Sequence, residues 1–255
     1  MRFASLGSGS QGNALIVEAG RTRILLDCGF SVADTTRRLC RLGIRPEELS
    51  AIIVTHEHDD HIGGVARFAR KHALTTWMTA GTYRGLERLF DADIDLRLIQ
   101  GYAPFAIGDI LVAPYPVPHD AREPAQFVFS DGAARLGVLT DVGYVTPHIK
   151  LCLSGCHALV MECNHDSGLL ERSDYPASVK QRIASRFGHL DNAQAAHLLS
   201  TVDCSRLQHV LAAHLSETNN RPELAREALA GALGCGQDWI GIAEQHGGSA
   251  WRDIL

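Results

Sequence analysis

Six consecutive residues, His56-Glu57-His58-Asp59-Asp60-His61, mix imidazoles with carboxylates directly after the apolar run at 51–55. In an extended chain, residues two apart point the same way, so His56 and His58 can share one metal ion. Asp60 and His61 fall where the chain turns toward a helix, within reach of a second ion. Imidazole combined with carboxylate suits zinc, manganese or iron. A chance match to this histidine and aspartate pattern is expected only ~0.002 times in such a chain. Gathering these groups without a cation would also crowd polar atoms that need partners.

A two-metal site needs more ligands, and three residues have the right context. His119 follows the run Leu111–Val117, Asp141 follows the run ending at Thr140, and His214 closes the run at 208–215. In each case an apolar stretch stops and a ligand-type side chain appears. Singly, each reads as a solvated or capping residue; beside the histidine cluster they read as the missing ligands. The opening segment Leu6-Gly7-Ser8-Gly9-Ser10-Gln11-Gly12-Asn13 has two readings. It is a cradle in which Ser8, Ser10 and Asn13 meet a ligand, or a tight turn between strands. His72, His148, His157, His197, His209 and His246 lack ligand spacing and read as surface or core residues. Trp77, Trp239 and Trp251 are too scattered to build a base-stacking platform.

The elements that must hold these residues are short. Strands are expected at 14–18, 23–27, 51–55, 75–79, 96–99, 110–117, 158–163 and 208–215. Residues 125–130 and 134–140 read as a hairpin turned at Asp131-Gly132. Helices are expected at 31–42 (capped by Ser31), from about 60 to about 71, and at 176–187, 191–202 and 221–233. Strands in two groups, each with helices, indicate an α/β (α+β) layered protein. The 255 residues are 45% apolar and 21% charged, enough for a core and inconsistent with dominant disorder. We expect one domain over 1–255. The net charge of −5 excludes nucleic-acid binding by bulk charge. A basic groove would draw on Arg37, Arg38, Arg84, Arg88, Lys180, Arg182 and Arg186. No apolar run is long enough for a membrane span, and the first residues lack a signal peptide's apolar core, so we expect a cytoplasmic protein with no membrane partner. Seven cysteines with no CxxC pair predict free thiols in a reducing compartment.

In order and spacing, Asp27, His56/His58/Asp60/His61, His119, Asp141 and His214 resemble the motifs of the metallo-β-lactamase-fold hydrolases. The resemblance spans about residues 1–220 and implies a four-layer αββα sandwich with two divalent ions at the strand ends. The first ion would take His56, His58, His119 and Asp141. The second would take Asp60, His61, His214 and the bridging Asp141, with Asp27 supporting the histidine loop from behind. Secreted β-lactamases carry cysteine where Asp141 stands, and flavodiiron-type members carry Glu where His58 stands. Gly188-His189, Met161-Glu162-Cys163 and His214-Leu215-Ser216 resemble ribonuclease Z instead, where such a His/Glu pair donates a proton.

A closer similarity is to the YycJ/WalJ-type 5′-to-3′ DNA exonucleases. It rests on the opening 6–13 segment, on Glu162-Cys163-Asn164-His165-Asp166 and on His214-Leu215-Ser216-Glu217-Thr218-Asn219-Asn220. Asp191 departs from it, standing where that group has Ser. The resemblance implies hydrolysis of phosphodiester bonds, with DNA the expected substrate, by a metal-activated hydroxide. Asp60 would orient or deprotonate the water, and His189, held by Glu162, would donate a proton. Ser8, Ser10, Asn13, Asn192 and Asn219 would contact substrate. His165 would support the site or face substrate. Zinc or manganese is expected, with iron admitted by the same donors. Two rivals remain: a thioester or lactone hydrolase of the glyoxalase II type, and a metal-bound sensor without turnover. Oligomeric state stays open.

Overall fold

The computed structural model describes residues 1–90 and 93–255. The first half of the chain supplies strands β1 (Arg2–Gly7), β2 (Ala14–Ala19), β3 (Thr22–Leu26), β4 (Ala51–Ile53), β5 (Thr76–Thr79) and β6 (Leu96–Ile99). The second half supplies β7 (Phe105–Ile107), β8 (Ile110–Pro116), β9 (Ala125–Ser130), β10 (Arg135–Leu139), β11 (Ala158–Glu162), β12 (His209–Ala213), β13 (Ile240–Ile242) and β14 (Arg252–Asp253). Among the described residues these form two seven-stranded sheets, ordered β14-β1-β2-β3-β4-β5-β6 and β13-β12-β11-β10-β9-β8-β7. The final strand thus returns to the first sheet beside β1.

Alternation of side chains explains the layering. Along β3 and β4, Ile24, Leu26, Ala51 and Ile53 point between the sheets, where they meet Phe127, Leu136, Val138, Val160 and Leu211 of the second. Leu25, Ile52 and Val54 point the other way, under helices α1 (Val32–Arg41), α3 (Val65–His72) and α4 (Ala80–Leu86). α2 is the single turn Asp59–Ile62. In the second sheet Leu159, Met161, Val210 and Ala212 face outward. They lie beneath α5 (Pro147–Leu153), α8 (Asn192–Leu199) and α9 (Pro222–Leu233). Strands buried on both faces need continuous apolar runs, which is why these runs stood out. α6 (Ser167–Arg172) and α7 (Ala177–Ile183) sit at the rim, and no residue of α7 is buried. The architecture is the expected αββα sandwich.

Several boundaries differ from expectation. The helix expected from 60 to 71 is two helices, broken at Gly63-Gly64. A Cβ on Gly64 would lie 1.9 Å from the Phe30 carbonyl oxygen, so the chain bends there to pack on the 28–30 loop. The helix expected over 176–187 ends at Ile183, because the chain folds back there so closely that a Cβ on Gly188 would lie 2.1 Å from the Ile183 carbonyl oxygen. The Asp131-Gly132 turn is wider than two residues: Asp131 Oδ1 accepts from the amides of Ala133 and Ala134. α4, α5 and α6 were not anticipated, being only six or seven residues each. Ser31 caps α1 as expected, accepting from the Asp34 amide. All seven cysteines are free. Among the described residues, no helix is long and apolar enough to cross a membrane.

Candidate metal centre

Strand direction decides which residues can meet. β3 to β6 run parallel, as do β10 to β13. Their carboxyl ends share one edge of the sandwich. Asp27 follows β3, Thr55 to His61 follow β4, His119 follows β8, Asp141 follows β10, Glu162 ends β11 and His214 follows β12. Three of these residues leave their strands in the left-handed backbone region: Asp27 at φ 59°, Asp141 at φ 54° and His214 at φ 55°. Such backbone is unfavourable for any residue with a Cβ and persists where surroundings hold it. Here it turns each side chain sharply from the strand toward the edge.

The imidazoles and carboxylates converge in two overlapping groups. His56 Nε2 and His119 Nε2 lie 3.0 Å and 3.2 Å from His58 Nδ1. Asp60 Oδ2 lies 3.4 Å from His61 Nε2 and 3.3 Å from His214 Nε2. Asp141 stands between the groups. Its Oδ2 is 3.2 Å from His61 Nε2, and its Oδ1 is 3.4 Å from His214 Nε2 and 3.8 Å from His119 Nε2. Among the described residues, the groups able to share an ion all come from these seven side chains together with Glu162 and His189. His72, His148, His157, His197, His209 and His246 stand outside them.

Oxygen atoms behind the rings fix their orientation. Asp27 Oδ2 accepts from His61 Nδ1 at 2.8 Å and from Thr55 Oγ1 at 2.9 Å, while its Oδ1 accepts from the Thr55 amide at 2.8 Å. With its own proton given to Asp27, the Thr55 hydroxyl accepts from His56 Nδ1 at 3.0 Å. His119 Nδ1 donates to the Gly188 carbonyl at 3.1 Å. In each ring the proton on Nδ1 leaves the Nε2 lone pair facing its neighbours, the arrangement a metal requires.

The donor set fits a cation for a further reason. Asp141 Oδ2 is buried and accepts no hydrogen bond despite its close histidine. Burial disfavours charge on His61 and His214, yet the carboxylates of Asp141 and Asp60 overcome it. His61 is raised well above the ordinary range and His214 to about 9. His56, fully buried and next to His61, is pushed well below it. The two carboxylates thus favour protons on His61 and His214 where no other cation is near. Divalent ions would replace those protons, using borderline nitrogen and hard oxygen donors.

Beside the cluster stands a second pair. Glu162 is fully buried, and its oxygens accept from the amides of Asp141 (3.0 Å), Val142 (3.2 Å) and Leu190 (2.9 Å). It also accepts from His189 Nδ1 at 2.8 Å. Burial works against charge on His189, but the Glu162 carboxylate outweighs it and raises the imidazole pKa. His189 lines a cavity of about 310 Å³ with Ser10, His58, Asp60, Asp120, Asp141, Arg182 and His214 among its walls.

Not every expected contact lies there. Of the residues expected to meet substrate, Ser10 is exposed and lines the cavity. Ser8, Asn13, Asn192 and Asn219, also expected to meet substrate, are 7%, 6%, 6% and 1% exposed and do not line that cavity. Ser8 and Asn13 bond inside the protein, and Asn192 exchanges two 2.9 Å bonds with Asn220. The basic groove also needs correction. Arg38 is buried, donating to the Leu6 and Gln245 carbonyls, and Arg37 pairs with Asp34. Arg182 lies at the cavity wall, 2.6 Å from Asp120 Oδ2. Thr55 and Asp120 escaped the sequence reading as supporting residues, and Asn164 entered it only within the Glu162–Asp166 motif. Asn164 Nδ2 donates to the His214 carbonyl at 3.0 Å and lies 3.2 Å from its Nδ1. Its place in that motif, two positions after the end of β11, was the available signal. His165 is 3% exposed and lies beyond the cavity.

The chain is similar to several known proteins. A family profile described as the beta-lactamase superfamily domain matches residues 22–214. The chain is 36% identical over 235 residues to exodeoxyribonuclease YycJ of Bacillus anthracis, covering 91% of this chain and 89% of the relative. It is 31% identical over 245 residues to exodeoxyribonuclease WalJ of Streptococcus pneumoniae, covering 94% and 91%. Among solved structures, the metallo-beta-lactamase fold protein YhfI from Bacillus subtilis superposes with a TM-score of 0.76, at 15% identity over 99% of both chains.

Proposed function

The chain belongs to the beta-lactamase superfamily, and on that premise we propose that this metal-dependent hydrolase cleaves phosphodiester bonds of DNA from a 5′ end. The observation that carries the reading is the His189–Glu162 pair, joined at 2.8 Å beside the histidine and aspartate cluster. The relatives named exodeoxyribonucleases support DNA as the substrate.

In this reading His56, His58 and His119 would hold one ion and Asp60, His61 and His214 the other, with Asp141 within reach of both sets. Bound divalent ions would lower the pKa of a water and neutralise charge on phosphoryl oxygens. Asp60, at the cavity wall, would orient a water there and accept its proton. Asp27 and Thr55 keep the rings of His56 and His61 turned toward the site. His189 Nε2 faces the leaving oxygen and supplies its proton, because Nδ1 is anchored on Glu162. Arg182 leaves Asp120 to meet a substrate phosphate, a charge-assisted contact that planar guanidinium makes well. Ser10 adds a donor at the same wall.

The test is direct. The protein is stripped, reloaded with zinc or manganese in turn, and given 5′-phosphorylated duplex DNA, bis-p-nitrophenyl phosphate and a thioester. Nucleotide release from the DNA end supports the reading and names the working ion. Cleavage of the small diester alone removes DNA as the substrate. Thioester cleavage alone replaces the reading with a glyoxalase II-type hydrolase.

A further inference from the structure

The glycine-rich segment at 8–13 joins β1 to β2 at the same edge as the metal centre, and two of its polar side chains, Ser8 and Asn13, point inward. The His214 amide donates to Ser8 Oγ at 2.9 Å. Ser8 Oγ donates to Asn13 Oδ1 at 3.0 Å, which also accepts from the Gly9 amide at 2.9 Å. Asn13 Nδ2 donates to Asp60 Oδ2 at 3.0 Å and lies 3.1 Å from His61 Nε2. The Asn13 amide donates to the Asp60 carbonyl at 2.8 Å. One relay therefore connects His214, carried by the second sheet, to Asp60 and His61, carried by the first.

The relay is selective. Asp60, His61 and His214 are the residues that, with the shared Asp141, would hold the second ion. The rings assigned to the first ion are steadied elsewhere: His56 by Thr55 and His119 by the Gly188 carbonyl. The loop that carries the relay is itself fixed. Gln245 accepts from the Gln11 amide and donates to the Gly12 carbonyl, both at 2.9 Å. Gly12 has φ 146°, and a Cβ there would lie 2.5 Å from the Phe30 ring. Glycine is required at that point so that the loop can close over the two sheets.

We propose that Ser8 and Asn13 are positioning residues that clamp Asp60, His61 and His214 together across the sandwich and set the affinity of the second ion alone. The inference rests on the two-metal reading above. Partners behind metal ligands commonly change affinity by roughly 10- to 100-fold.

Stepwise zinc titration by calorimetry, with metal content measured after dialysis, tests it on the full chain. The unaltered protein is expected to take up two ions. Asn13→Ala is expected to bind the first with unchanged affinity and the second about 10- to 100-fold more weakly. Its turnover should return as zinc is raised. Ser8→Ala is expected to weaken the second ion by about tenfold. Two ions bound as tightly in both variants as in the unaltered protein overturns the clamp. Equal weakening of both ions overturns it too, since that is the behaviour of a merely structural loop. Should Asn13→Ala fail to fold, Ser8→Ala decides by the same criteria. Fewer than two ions in the unaltered protein sinks the two-metal reading itself, whatever the variants do.

Discussion

At the scale of single residues, Glu162 and His189 do different things although they touch. Glu162 accepts from three backbone amides as well as from the ring, so it fixes the turn that presents Asp141. Removing it strands those buried donors, each costing about 1–3 kcal/mol. Glu162→Ala should therefore unfold at markedly lower urea, whereas Glu162→Gln keeps one acceptor and should lose less; equal midpoints for both would contradict this. His189 contributes through a proton. His189→Ala should slow DNA cleavage by about 10²- to 10⁴-fold. On a p-nitrophenyl diester, whose leaving group needs no proton, the loss should be small. A uniform loss on both substrates would remove the donor role. His58→Ala and Asp141→Ala should each abolish turnover on every substrate, and near-normal rates in either purified variant would sink the ligand assignment. The gathering of the ligand-type residues was legible because such chemistry is written in residue types and spacing, whereas the Glu162–His189 pair was expected only from the resemblance to ribonuclease Z. The inward turn of Ser8, Asn13, Asn192 and Asn219 was not legible, since a polar residue looks the same whether it meets solvent or a buried amide.

At the scale of elements, long apolar runs were legible and short rim pieces were not. β3, β4, β11 and β12 are buried on both faces and show in the sequence as unbroken hydrophobic stretches. α6 buries only Leu170 and was not seen, whereas α7 was seen although none of its residues is buried, and only its end was misplaced. The break at Gly63-Gly64 depends on the 28–30 loop, more than thirty positions earlier, so local pattern could not reveal it. α3 shows how such ends can be tuned. It closes on Ala73 in the left-handed region at φ 51°, a conformation that costs a residue with a Cβ roughly 1–2 kcal/mol. Ala73 is exposed and far from the metal centre in sequence. Ala73→Gly is expected to raise stability by about 1 kcal/mol, read as a higher urea midpoint with unchanged slope. A lower midpoint would mean that the C-cap is not strained.

At the scale of the whole molecule, the metal centre gathers charge that the fold alone tolerates poorly. Chelation should therefore lower the melting temperature. For an ion present at about a hundred times its dissociation constant, the loss is about 2.7 kcal/mol. That corresponds to roughly 5–10 °C for a protein of this size. An unchanged melt after exhaustive chelation would show that the site is stable without cations. The layout also implies something about connectivity. On the proposed ligation each ion draws residues from both halves of the chain: His56 and His58 with His119, and Asp60 and His61 with His214. The loop at 100–104 joins those halves, and Gly101 there has open space around it. A chain nicked in that loop should thus behave as a split protein whose fragments reassociate more tightly with zinc than with chelator. In that setting the ions act as staples between two pieces of polypeptide, and catalysis becomes a reporter of their reunion.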